Sequence, residues 1–198
     1  MTNSEKRKEQ TKKLVLGAVM TALVIILQSL AKFTAFFGPF SSAVALVPIV
    51  IGAAMCGTAI GAWLGFVFGV VVLATGDAAL FWMFDIPGTF ITVLAKGAAC
   101  GLCAGLAYKL LEKFNRLIAA YAAAIACPII NTAVFLLGCY IFFMDNADAI
   151  AAKLELTISG MHLFWTLAMG NFLFELGTSI VLSPVIVRVL SIEKKSKI

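Results

Sequence analysis

From Phe33 to Gly76 the chain carries no charged residue. At about 1.5 Å per residue this stretch is too long for a single helix across a hydrocarbon core of about 30 Å. It has to fold back on itself, and a charge-free surface of that length belongs in lipid rather than in water. Composition points the same way. Of the 198 residues, 62% are hydrophobic and 13% charged, with a mean hydropathy of +1.05. A soluble domain carries about 45–50% apolar and about 25% charged residues. A soluble enzyme, a disordered chain and a disulfide-stapled scaffold are therefore excluded. The five cysteines (Cys56, Cys100, Cys103, Cys127 and Cys139) all lie in apolar runs and read as buried helical thiols.

The apolar segments predict an all-α integral membrane protein. A basic cluster, Lys6, Arg7, Lys8, Lys12 and Lys13, leads into an uncharged first span from Leu14 to Ala31. Breaks at Gly38-Pro39, Ser41-Ser42 and Cys56-Gly57-Thr58 predict short helices over 43–56 and 58–74. After Asp77 and Asp85, Pro87-Gly88 precedes a fourth helix over 89–111. The fifth runs over 117–144 and the sixth over 162–189. Three parts follow: a basic segment 1–13, a single membrane domain 14–190 and a basic tail 191–198. Basic residues, an apolar run and Ser29-Leu30-Ala31 also resemble a cleaved signal, but the run exceeds the usual h-region of about 7–15 residues.

Charge placement tests the count. With six helices and the N-terminus inside, segments 1–13, 109–116 and 188–198 share one side and hold twelve of the fifteen Lys and Arg residues. Asp77, Asp85, Asp145, Asp148 and Glu155 then fall on the other side. One long helix over 43–74 would strand the later basic segments outside, against the positive-inside rule. Six spans with N and C termini cytoplasmic are expected. The net charge of +5 reports topology rather than a nucleic-acid surface.

Gly57, Gly61, Gly65 and Gly69 recur every four residues in the third helix, and Gly97, Gly101 and Gly105 in the fourth. Such stripes let backbones approach closely, so tight packing of these two helices is expected; a sliding surface or a ligand approach is the alternative. Ala18 and Ala22, beside Gly17 and Thr21, form a small-residue face on the first helix. It can bury within the fold or against another protein.

Polar side chains inside spans are costly and must find partners or line a cavity. Lys96 stands about two turns from the outer end of helix four, and Asn131 follows Pro128 in helix five. Asn171 and Glu175, four apart, share a face of helix six, and Gln28 lies in helix one. Lys96 can pair with Glu175, and Asn131 can satisfy backbone groups freed by Pro128. Together, however, one cation, one anion and two amides suggest a cavity for a polar organic molecule. Phe81, Trp82 and Phe84 lie between Asp77 and Asp85, as interfacial anchors or as a lid. His162 near Trp165 reads as interfacial. No GxxxxGK[ST] or HExxH motif occurs, and Cys100-x-x-Cys103 lacks the context of a redox or metal site. No catalytic residue, metal or cofactor is expected.

These residues resemble the substrate-capture (S) components of energy-coupling factor (ECF) vitamin transporters. The resemblance spans the whole chain: its size, the basic entry into helix one, Ala18-x-x-x-Ala22, "ALVPIVIGAAMCGTAIGAWLGFVFG", "CPIINT" and "GNFLFELGTSIVLSPVIVRVL", in that order. It implies a multi-pass protein of a bacterial plasma membrane that binds a vitamin or related micronutrient at its outer side. It also implies docking through Ala18 and Ala22 on a membrane coupling (T) subunit driven by two cytoplasmic ATPases. Lys96, Asn131, Asn171, Glu175, Gln28, Phe81 and Trp82 become the substrate-binding candidates. The layout is most similar to the branch containing pantothenate carriers, whose anionic ligand would suit Lys96. Two other classes stay open: an autonomous secondary transporter or channel, for which no internal repeat is evident, and a membrane enzyme or assembly factor relying on Glu175 or His162.

Overall fold

In a computed structural model the backbone is described for residues 3–34 and 44–195, and the side chains for 3–30 and 44–188. Every regular element among these residues is helical: α1 (Asn3–Thr34), α2 (Leu46–Cys56), α3 (Thr58–Thr75), α4 (Ala79–Trp82), α5 (Ile86–Leu111), α6 (Arg116–Gly138), α7 (Ala147–Lys153) and α8 (Gly160–Lys195). The expected breaks at Gly38-Pro39 and Ser41-Ser42 lie outside the described residues.

Helix boundaries follow local chemistry. From Asn3 onward the basic residues form the first turns of α1. Its Glu, Lys, Arg and Gln residues are good helix formers, and Glu9 pairs with Lys13 one turn on at 3.0 Å. Pro87 and Gly88, expected to precede the fourth long helix, belong to the first turn of α5. Asp85 caps that turn by accepting from the Gly88 N–H at 3.0 Å. Proline costs nothing there, because a first-turn N–H has no helical acceptor. Asn115 caps α6 in the same way. Past Gly138, α6 widens into a π turn over Cys139–Phe143 and a 3₁₀ turn over Met144–Asn146 before α7.

Side-chain contacts set each direction. Gly17 faces Ile60, and the Gln28 amide bonds Asp77, so α1 and α3 run parallel. Gly61, Gly65 and Gly69 face Gly101, Gly97 and Val93, making α5 antiparallel to α3. Gly138 meets Thr92, and Gly88 meets Phe142, making α6 antiparallel to α5. Glu175 meets Asn131, whereas Leu163 and Phe164 cluster with Leu136 and Phe143, so α8 returns antiparallel to α6. Lys13, Lys109 and Arg116 consequently gather at one end of the bundle. Asp77, Asp85 and Asp145 stand at the opposite end, as the charge sorting predicted.

Among the described residues five helices are long and apolar enough to cross a membrane, and a shorter apolar one, α2, has 11 residues. At about 16 Å it reaches through half of the hydrocarbon. The chain reverses at Gly57, whose φ of +101° suits glycine. Ala53 then packs on Gly61 and Gly52 on Leu64, so α2 and α3 form a hairpin rather than one long helix. Because α2 is wrapped by α1, α3, α5, α6 and α8, protein neighbours rather than lipid set its length.

The buried apolar side chains among the described residues form two clusters. Leu46, Ile49, Val50 and Ala53 of α2 join Cys100, Ala104, Ala120, Ala124 and Cys127 in the first, which continues along α3 to Phe68, Leu73 and Ala78. A second cluster, with Leu136, Cys139, Phe143, Ile150, Leu163 and Phe164, fills the acidic end. The polar side chains of α6 and α8 fall at the seam between them.

Candidate functional site

Asn131 sits on α6 between Cys127 of the first cluster and Leu136 of the second. Glu175 reaches the same level from α8. The Asn131 amide donates to both carboxylate oxygens of Glu175, at 3.1 and 3.0 Å, and the Asn171 amide donates to Oε1 at 2.7 Å. Glu175 is 1% exposed and Asn131 2%. A buried carboxylate survives such desolvation only when donors of this kind surround it. Binding Glu175 commits the Asn131 amide nitrogen and leaves its Oδ1 buried with no hydrogen-bond partner among the described residues. That oxygen can accept from a donor supplied by a ligand or by water.

Lys96 approaches from α5. Cys100 and Cys127 are buried together in the first cluster, and Thr92 touches Gly138. These two contacts bracket Lys96 and Asn131 and bring them to one depth. The Lys96 ammonium, half-buried, lies 5.5 Å from the centroid of the Phe135 ring, a cation–π contact. Among the described residues it is paired with no carboxylate. The same Phe135 ring meets Phe81 edge-on at 5.6 Å, and Phe81 meets Phe143 at 5.0 Å. The turn before α5 thus folds down onto the ring that Lys96 covers. A half-buried ammonium beside aromatic faces, with an open amide oxygen at its level, can take an anionic group and a neighbouring hydrogen-bond donor from one small molecule.

Lys96, Asn131, Asn171, Glu175 and Phe81 are therefore brought to one region. Gln28 and Trp82 are not joined to it by direct contacts. The buried Gln28 amide donates to Asp77 Oδ2 at 2.8 Å on the α1–α3 side. Trp82 stacks on Phe90 at 6.0 Å and packs against the first apolar cluster, its indole N–H without a partner among the described residues. His162 is exposed. Thr92, whose buried hydroxyl has no partner among the described residues, and Phe135 were not singled out from the sequence. Both stand one turn from a residue that was, Thr92 from Lys96 and Phe135 from Asn131, so helical spacing carried the signal. Ala18 and Ala22 are exposed on α1, while the adjacent Gly17 is buried against Ile60. The small face thus splits: Gly17 packs inside, and the alanines point outward.

A family model described as "ECF transporter, substrate-specific component" matches residues 12–190. The chain belongs to this family. It is a multi-pass membrane protein and the substrate-binding subunit of an ECF transporter, not an enzyme. No curated protein and no solved structure matches it.

Proposed function

We propose that this S component captures a small anionic micronutrient, of the pantothenate kind, from outside a bacterial plasma membrane. In this reading α2 counts as the sixth, short crossing, and both termini are cytoplasmic, as the gathering of Lys13, Lys109 and Arg116 at one end supports. Lys96 receives the anionic group. Asn131 Oδ1 accepts from a hydroxyl or amide of the ligand, while Asn171 and Glu175 hold Asn131 in orientation. Phe81 closes over the ligand, and Gln28 and Trp82 lie at the margin. The exposed Ala18 and Ala22 dock on a membrane T subunit, and two ATPases supply the energy. The observation that carries the ligand class is the half-buried ammonium against Phe135, paired with no carboxylate among the described residues.

Labelled pantothenate is the probe. Lys96→Ala should weaken its binding by about 1.5–3 kcal/mol, the worth of a hydrogen bond to a charged group, or roughly 10- to 150-fold. Isothermal titration in detergent reads the change. Unchanged affinity would remove Lys96 from the pocket. If the wild type does not bind pantothenate, native mass spectrometry for a different co-purified anion takes its place.

A further inference from the structure

The basic end of the bundle holds a feature that substrate capture does not use. A cleft of about 340 Å³ opens where the start of α1, the α2–α3 corner, the end of α5 and the start of α6 meet. Its charged lining is Lys13, Lys109 and Arg116 against Glu9 and Glu112, a surplus of one positive charge. Glu9 and Lys13 are paired at 3.0 Å, so the surplus falls on Lys109 and Arg116 facing Glu112. We infer that this cleft binds the phosphodiester headgroup of an anionic phospholipid.

Several independent features fit that ligand. The surplus of one positive charge matches the single negative charge of a phosphodiester. The first turn of α3 has no side-chain cap, and nothing lies within 4 Å of where a Cβ on Gly57 would stand. The Gly57 side of this corner is thus open to close approach. The cleft lies where apolar helix begins, which is headgroup depth. Each cation is followed in sequence by an exposed apolar residue: Leu14 at 68%, Leu110 at 70% and Leu117 at 50%. A soluble phosphate has no use for those side chains, whereas the acyl chains of a lipid lie along them. Basic pockets between helices at the membrane surface recognise anionic headgroups through this combination.

Native mass spectrometry of the full chain in detergent tests the site. The probes are phosphatidylglycerol and phosphatidylcholine with identical acyl chains, each with and without inorganic phosphate. One retained phosphatidylglycerol per chain is expected, with several-fold lower occupancy by phosphatidylcholine. Lys109→Gln/Arg116→Gln should lower phosphatidylglycerol occupancy about fivefold for each cation removed. Lys6→Gln/Lys8→Gln, which removes the same charge outside the cleft, should leave it unchanged. Glu112→Gln, which adds to the surplus, should raise it, so the test does not depend on the double variant folding. Equal retention of the two lipids, equal loss in the control variant, or displacement by millimolar phosphate would each overturn the assignment.

Discussion

Replacing Gly65 with leucine is expected to remove most of the folded protein from the membrane. On α3 a Cβ at Gly65 would overlap the carbonyl oxygen of Gly97, and a Cβ at Gly97 would overlap the carbonyl of Gly65. Neither obstacle is a side chain that can turn aside, so α3 and α5 would have to separate along the whole stripe. Lipid does not drive helices together as water does, and close backbone contact supplies much of the attraction between them. Overpacking usually costs about 1–3 kcal/mol; with rigid backbone on both sides the upper figure or more is expected, a large share of a total near 5–15 kcal/mol. Gly177→Leu is the control. Gly177 is exposed on α8 with nothing within 4 Å of a Cβ, and leucine is the better helix former. Monodisperse yield and thermal unfolding in detergent should collapse for Gly65→Leu and hold for Gly177→Leu. A stable Gly65→Leu protein would mean that the two helices do not meet through this stripe.

Ala18→Trp should abolish ATP-driven uptake while leaving folding and ligand binding intact. Ala18 is exposed on α1, so an indole there points away from the described core. If the Ala18–Ala22 face docks on a T subunit, the same indole holds the partner helix away, and coupling is lost outright. Gly17 provides the contrast. It is buried, a Cβ there already comes within 3.2 Å of Ile60, and Gly17→Trp should damage the fold itself. Uptake measured beside binding separates the two variants. Normal uptake by Ala18→Trp would show that this face carries no partner.

Much of this architecture was legible in the sequence because membranes enforce simple rules. The four-residue glycine spacing predicted the α3–α5 contact, and the charge sorting predicted which helix ends gather. The resemblance to ECF substrate-capture components, resting on motifs in order, agrees with the family match over residues 12–190. The length of α2 was less legible, because apolar residues read alike whether they face lipid or five other helices. Pro87-Gly88 read as a break, since the cap that makes them a first turn depends on where the Asp85 side chain points. Spacing placed Asn171 and Glu175 on one face, but not that Glu175 would hold the amides of both asparagines while Lys96 covered an aromatic ring. Those pairings are set by depth and helix rotation, which only the packed bundle fixes. Gln28 shows the converse: its partner, Asp77, is a loop carboxylate that composition assigned only to topology.

Proteoliposomes containing this chain without an ATPase or T subunit, given labelled pantothenate outside, test the division of labour between capture and transport. The expected result is retention of up to one ligand per chain with no accumulation in the lumen, and accumulation only once the coupling partners and ATP are supplied. Accumulation in the lumen by the chain alone would contradict the account.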